Sequence, residues 1–211
     1  MPALAPVKRR RGRPPKGSND PNATRQALLR AGVETLTEKG FSAAGIEEIL
    51  RRVNVPKGSF YHYFNSKEAF GSALIDEYDQ YFSARLRRIL ADSAQNPLQR
   101  IEAFVADAAS GMTRHQFRRG CLVGNLGQEM STLPPAFRTQ LLDVFERWQS
   151  LLEHCLQQAQ NDGLIAADND CATLSRIFWT GWEGAVLRAK LELSARPLQD
   201  YAHYFLQSIK H

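Results

Sequence analysis

The sequence predicts an all-α protein of about nine helices. Three observations carry this. Apolar residues recur at i, i+3, i+4 and i+7 through most of the chain. No segment alternates convincingly at period two, the signature of a half-buried strand. The breaks between periodic runs fall on Pro, Gly, Asn and Asp, residues that open or close helices.

Asp20 is a natural N-cap, and Pro21 suits the first helical position, where a missing N–H costs nothing. Leu29, Gly32, Val33 and Leu36 mark one face of that helix, and Gly40 ends it as a C′ residue. Ile46, Ile49, Leu50 and Val53 define a short second helix. Asn54 follows it and tolerates the left-handed conformation of a tight turn. Pro56 opens a third helix, expected over Pro56–Tyr63. Asn65 with Glu68 reads as a variant capping box for the next helix. There Phe70, Ala73, Leu74, Tyr78, Tyr81, Phe82, Leu86 and Ile89 keep one long face. Ile101, Phe104, Val105, Ala108 and Met112 form a further helix. Another runs from Phe137 through Phe145, Trp148 and Cys155 to Ala159 and closes at Asp162-Gly163. Leu174, Ile177, Phe178, Trp182, Ala185, Val186 and Ala189 make the penultimate helix, and Leu198, Tyr201, Ala202, Phe205 and Ile209 the last.

A chain of 211 residues can bury roughly 70% of its unfolded surface, so it needs no disulfide or metal staple. Hydrophobic residues make up 43% and charged residues 23%, which excludes pervasive disorder. No run approaches the ~20 apolar residues of a membrane span, so no membrane partner is expected. The basic run at Lys8–Arg13 leads into Pro and Gly, unlike a signal peptide. Three cysteines cannot all pair within one chain, and a reducing cytoplasm is the expected location.

The net charge of +5 sits in one place. Residues 1–20 hold six cations against Asp20, whereas the rest carries 21 cations and 21 anions. Residues 1–19 contain four prolines and no aromatic residue, and read as a disordered basic arm suited to nucleic acid.

The second and third helices, joined at Asn54, have the proportions of a helix-turn-helix, whose second helix enters the major groove. Phe60 and Phe64 are four apart and can pack inward. Lys57, Ser59, Tyr61, His62 and Tyr63 then face outward or sideways, bringing groups suited to phosphates and base edges. Gly58 has no side chain to hold the helix off DNA.

At these residues the sequence resembles the TetR family of one-component repressors. The run Glu38-Lys39-Gly40-Phe41, then Ile46-Glu47-Glu48-Ile49-Leu50, then Gly58-Ser59-Phe60-Tyr61-His62-Tyr63-Phe64 and Ser66-Lys67-Glu68 is similar to that family's DNA-binding signature. The resemblance implies phosphate contacts from Tyr61 and Lys67, and base or backbone contacts from Lys57, Ser59 and His62. Pro56 departs from the pattern, which usually has Ser or Thr there. In the arm, Arg11-Gly12-Arg13-Pro14 resembles an AT-hook core, slim enough for a narrow minor groove. A sequence-blind cationic tail accounts for Arg11 and Arg13 equally well. The resemblance divides the chain into an arm (1–19), a helix-turn-helix domain (20–66) and a ligand-binding and dimerisation body (67–211).

The block His115–Met130 and the block Gly181–Lys190 are similar to a TetR subgroup that includes regulators of acrylate use and of N-ethylmaleimide reductase. That likeness implies a small unsaturated or electrophilic inducer, such as acrylate or its coenzyme A thioester. Cys121 follows Arg118-Arg119-Gly120, and adjacent cations favour the nucleophilic thiolate. A helix opening at Cys121 would act in the same sense. The alternative, a small buried apolar cysteine, stays open. Trp148, Trp182, Phe145, Phe178 and Tyr78 sit on inner stripes and are candidate pocket residues, although ordinary core positions have the same pattern. The family also implies a homodimer through the last two helices and a near-palindromic double-stranded operator. Gly181, Gly184 and Ala185 permit close approach there, and Trp179 lies off the inner stripe.

Two rival classes are weaker. His154 and Cys155 are adjacent and point apart on one helix, a poor catalytic dyad. The remaining histidines lack metal-ligand spacing and no phosphate-cradling glycine loop is present, so neither enzyme, cofactor nor metal is expected. A ligand-independent architectural DNA binder would leave the long helical body without a purpose.

Overall fold

The structure is a computed structural model that describes residues 21–210; the basic arm, with Arg11 and Arg13, lies outside the described residues. Nine helices and no strand occur among them: α1 (Pro21–Lys39), α2 (Ile46–Arg52), α3 (Lys57–Phe60), α4 (Lys67–Leu90), α5 (Pro97–Arg114), α6 (Leu122–Gln128), α7 (Pro135–Asn161), α8 (Cys171–Glu192) and α9 (Arg196–Ser208). None of them is long and apolar enough to cross a membrane.

Local chemistry sets most of the boundaries. Gly40 stops α1 at φ +79° and returns its N–H to the Leu36 carbonyl at 2.9 Å. Asn54 makes the α2–α3 turn at φ 53°. Asn96 and Gln99 form a reciprocal capping box at the start of α5, where Pro97 occupies the first turn. Asp170 caps α8 through the N–H groups of Ala172 and Thr173.

Two boundaries differ from the sequence expectation. Ser66, not Asn65, caps α4: its hydroxyl accepts from Ala69 N at 3.0 Å, which leaves Glu68 in the first turn near the positive helix end. The third helix is shorter than Pro56–Tyr63. It ends at Phe60, and residues 61–63 continue as turns closed by His62 N to Ser59 O and Tyr63 N to Phe60 O. Pro56 supplies no capping side chain to extend it.

α1, α2 and α3 make a small head whose core is completed by the first turn of α4. Phe60, Phe64 and Phe70 form an aromatic triangle with centroids 4.7–5.5 Å apart. Phe60 is wholly buried, and burial of such a side chain contributes about 1.5–3 kcal/mol. α4 then runs 24 residues into the body and packs against α5 and α7, while α8 lies between α7 and α9.

The body is filled by an aromatic cluster. Trp148 lies 4.3 Å from Phe82 and 5.2 Å from Trp179, and Phe178 lies 5.0 Å from Phe205, measured between ring centroids. The Trp148 indole donates to Asp79 Oδ1 and Ser83 Oγ, and Arg147 donates to Asp79 Oδ2, so the buried polar groups of α4 are paired. Trp179, expected off the inner stripe, is buried at 1% exposure. Rings from α4, α5 and α7 reach it, so the buried arc of α8 is wider than a single stripe.

Candidate functional site

The α2–α3 pair presents its polar groups outward. Lys57 Nζ donates to Glu47 Oε1 at 2.7 Å, and both side chains are exposed. That hydrogen bond, with the lysine charge behind it, holds the Glu47 carboxyl below its usual range and raises the Lys57 ammonium. Tyr61 is 54% exposed and stands edge-on to Phe60. His62 is exposed, whereas Ser59 and Tyr63 are half-buried. A Cβ added to Gly58 would meet nothing within 4 Å, so the helix surface is flat there. Lys67 points elsewhere. Its Nζ donates to the Phe41 carbonyl at 3.0 Å and lies 4.6 Å from the centroid of the Phe41 ring. Its charge therefore helps to fix the junction between head and body.

That junction is built largely on the flanks of α6. After α5 the chain turns through Gln116 and Phe117, both at positive φ, and comes back towards α1. Arg119 then donates to Glu38 at 3.1 Å and pairs with Glu34 at 3.4 Å. Gly120 N donates to the Thr37 carbonyl at 3.2 Å. Asn125 Nδ2 donates to the carbonyls of Leu36 and Thr37 at 3.2 and 3.0 Å, taking up free acceptors at the end of α1. At the far end of α6, the Glu129 carboxylate accepts from Phe41 N at 2.9 Å and Ser42 N at 2.7 Å. It covers Gly40 so closely that a Cβ there would fall 1.8 Å from Glu129 Oε1.

Behind this junction lies a cavity of about 310 Å³. Its wall takes Val33, Glu34 and Thr37 from the head, and Phe82, Phe104, Met112 and Trp182 from the body. Arg85, Arg114, His115 and Arg119 also line it. Arg85 is engaged by Asp107 and Arg119 by α1, while Arg114 and His115 are exposed. The volume is at the lower end of typical small-molecule sites, and the mix of apolar wall and a few polar groups is characteristic of them.

Tyr78, Cys121 and Glu183 meet on this wall. Cys121 is the N-cap of α6 and accepts from Gly124 N at 3.5 Å. The Glu183 carboxyl and the Tyr78 hydroxyl lie close enough to its thiol to bear on its protonation. Glu183 Oε1 is buried without a hydrogen-bond partner among the described residues. Burial pushes the Glu183 carboxyl up to about 7. Burial, together with the neighbouring Glu183 charge, holds the Cys121 thiol well above its ordinary range. The expectation that Arg118 and Arg119 favour a thiolate is thus corrected. Arg119 is committed to α1, Arg118 is exposed, and the sulfur is buried against a carboxyl group. The helix does open at Cys121, but its pull is outweighed.

Among the residues singled out from the sequence, Tyr78, Cys121 and Trp182 line this cavity. Trp148, Phe145 and Phe178 are not on its wall; they belong to the aromatic core, with Trp148 and Phe178 fully buried. Glu183 was missed. The signal for it was a lone carboxylate inside the otherwise apolar run Gly181–Leu187. Gly181 was expected to admit a partner chain. Instead its surface is occupied by Tyr201 of α9, whose hydroxyl donates to the Phe178 carbonyl at 2.8 Å. Gly184 faces open space.

Two family models match the chain. "Bacterial regulatory proteins, tetR family" covers residues 28–74, and "Tetracyclin repressor-like, C-terminal domain" covers residues 97–205. The chain is 51% identical to the transcriptional regulator AcuR of Cereibacter sphaeroides, over 97% of this chain and 93% of that protein. It is 30% identical to the transcriptional repressor NemR of Escherichia coli K12, over 84% of this chain and 89% of that protein. A crystal structure of a regulatory protein TetR from Rhodobacter sphaeroides superposes with a TM-score of 0.86 at 50% identity, covering 88% of this chain and 98% of that one. The chain therefore belongs to the TetR family of bacterial transcriptional regulators, which bind DNA operators, typically as ligand-responsive dimers, and are not enzymes.

Proposed function

We propose that the protein is a repressor that grips a near-palindromic operator as a homodimer and lets go when a small unsaturated or electrophilic molecule, such as acrylate or its thioester, enters the α4–α5–α6–α8 cavity. One observation carries the reading. The cavity wall is shared by α1 of the head and by the body, and the segment Arg119–Glu129 touches both. A ligand that binds better when this segment is displaced shifts the population of head positions. Arg114 and His115 at the rim suit an anionic ligand, and the apolar wall suits its hydrocarbon part.

On the DNA side, Lys57, Gly58, Ser59, Tyr61, His62 and Tyr63 form the reading surface. Lys67 offers its remaining N–H groups to a phosphate, and Arg11 and Arg13 extend the contact into the minor groove. The head spans residues 20–66 and the ligand-binding and dimerisation body 67–211. The dimer forms through α8 and α9. Ile177, Thr180, Gly184, Leu187 and Leu191 share one face of α8 by spacing, and Ile177, Leu187 and Leu191 are 52%, 41% and 76% exposed. Tyr204 of α9 is 73% exposed. Large apolar side chains left in water along one face suit a second copy of the chain.

The test is a binding titration of the purified protein on a fragment of its own promoter, with random fragments as competitor and with or without acrylate. Preferential binding as a dimer, weakened by acrylate, is the expected result. Binding without preference for the promoter would end the reading of a specific repressor. Promoter binding indifferent to acrylate and to acryloyl thioester would end the reading of the inducer.

A further inference from the structure

Glu183 reaches the cavity wall from α8, and no lysine or arginine among the described residues pairs with it. Its Oε1 is buried without a hydrogen-bond partner among those residues. Its Oε2 lies against the first turn of α6, where a Cβ on Gly124 would fall 1.9 Å from it. The carboxyl is thus wedged between α8 and the helix that holds α1 through Asn125. A buried oxygen with no partner is costly, and the cost is recovered when a molecule entering the cavity supplies the partner.

We infer that Glu183 decides which molecules this cavity accepts: as a neutral carboxylic acid it donates a hydrogen bond to the carbonyl or carboxylate oxygen of the ligand, so the site takes small acids and their thioesters and refuses organic cations. This rests on the ligand-responsive reading above and specifies recognition in that same cavity. A carboxylate ligand and Glu183 share one proton between two oxygens, a charge-assisted hydrogen bond. With both groups ionised they repel each other. Where Glu183 has already lost its proton, filling the site draws one proton from solvent onto its carboxylate, and no other covalent bond forms or breaks.

The groups around Glu183 supply it with no counter-charge. Arg85 of α4 is engaged by Asp107, and Arg119 pairs with Glu34 of α1. Arg114 and His115, at the end of α5, are exposed at the rim. Tyr78 and Tyr81 of α4 and Cys121 before α6 bring hydroxyl and thiol groups but no cation. α6 itself has no titratable side chain, and Lys190 of α8 lays its Cδ beside Gly120. Among the described residues, α7 and α9 contribute nothing to the wall. Burial raises the Glu183 carboxyl to about 7, so both of its protonation states are populated near neutral pH.

The experiment is calorimetric titration of the full-length protein with acrylate and with its saturated analogue propionate, from pH 6 to 8.5, in phosphate and in Tris buffer. Both acids stay ionised throughout, since free carboxyls titrate near ~4. Wild-type affinity should fall by roughly 30-fold across this range, and at pH 8 the two buffers should report uptake of about 0.9 proton per site. Glu183→Gln keeps a donor of the same shape that cannot ionise, and should bind both acids with no proton uptake and one affinity at every pH. Histidine ordinarily changes charge in the same range, so His115→Gln is titrated alongside and should keep the wild-type profile. Propyltrimethylammonium, the cationic probe, should not bind the wild type. Wild-type affinity that is constant with pH, a Glu183→Gln profile that matches the wild type, or a cation that binds more tightly as pH rises overturns the inference. The wild-type proton count decides the matter even if the variant fails to fold. Release of promoter DNA by acrylate is measured in parallel. If acrylate frees the DNA but its binding takes up no proton, the inference falls and the functional reading stands. If neither acid binds and acrylate does not free the DNA at any pH, the inducer reading falls as well.

Discussion

Replacing Glu129 by Ala tests whether α6 carries the message between cavity and head. The carboxylate receives two backbone N–H groups from the segment just after α1, Phe41 N at 2.9 Å and Ser42 N at 2.7 Å. A hydrogen bond to a charged acceptor contributes about 1.5–3 kcal/mol, at the low end where water competes. Phe41 is buried at 8% exposure, so its N–H has little access to water once the carboxylate is gone; Ser42 is exposed and water replaces its partner. The two together come to about 2 kcal/mol, roughly a 30-fold change in an equilibrium. Native-state hydrogen exchange should show Phe41 N–H losing protection by about that factor. Allosteric coupling is a free energy shared between sites, so the factor by which acrylate weakens promoter binding should shrink as the contact is lost. Thr132→Ala is the control for losing a side chain beside this contact without the carboxylate: its exposed hydroxyl is 3.5 Å from Ser42 Oγ and donates to the Glu129 carbonyl at 3.0 Å, where water can replace it, and its loss should change neither quantity. If Glu129→Ala leaves both the Phe41 amide and the acrylate response at wild-type values, α6 does not link the two regions.

Four further outcomes follow from the same structure. Glu183 keeps its proton in the folded state up to about pH 7, while an unfolded carboxyl loses it near 4.5. Wild-type stability should therefore decline relative to Glu183→Gln as pH rises from 5 to 8, by at most about 3 kcal/mol, in urea unfolding; a pH-independent difference would refute this. Gly71→Ala places a Cβ 2.4 Å from Phe41 Cε2 and 2.7 Å from Phe137 Cζ, both rigid rings. It should destabilise the protein by about 1–3 kcal/mol, visible as a lower urea midpoint. Glu47→Gln removes the carboxylate that holds Lys57, and should steepen the salt dependence of promoter binding by roughly one unit of log K against log salt. Deleting residues 1–16 removes six cations and should flatten that dependence by up to ~5 units; an unchanged slope would deny the arm a role.

The helices and the reading head are legible in the sequence because their signals are local. Apolar spacing, Gly40, Asn54, Gly163 and the prolines each act within a turn or two of the chain, and the head's signature lies within one continuous stretch. The cap of α4 was misplaced by one residue because Asn65 and Ser66 are both good caps, and backbone direction chose between them. Cys121 shows the limit more sharply. Its sequence neighbours are arginines, yet its spatial neighbours are a phenol and a carboxyl group drawn from α4 and α8. Electrostatics follows distance in space, and a residue two positions away in the chain can point to another domain.

The same reasoning separates the aromatic residues. A tryptophan on an inner stripe is buried in any helical bundle, so the pattern alone could not distinguish Trp182, on the cavity wall, from Trp148, sealed in the core against Asp79 and Ser83. Fold class, family and the outward groups of the DNA-reading helix were within reach of the linear order of residues, since periodicity and capping are properties of adjacent turns. The cavity, the Tyr78–Cys121–Glu183 cluster and the Glu129 contact arose from the meeting of α1, α4, α6 and α8, segments far apart along the chain. Burial and charge at such a meeting depend on how the helices pack, which no local pattern encodes.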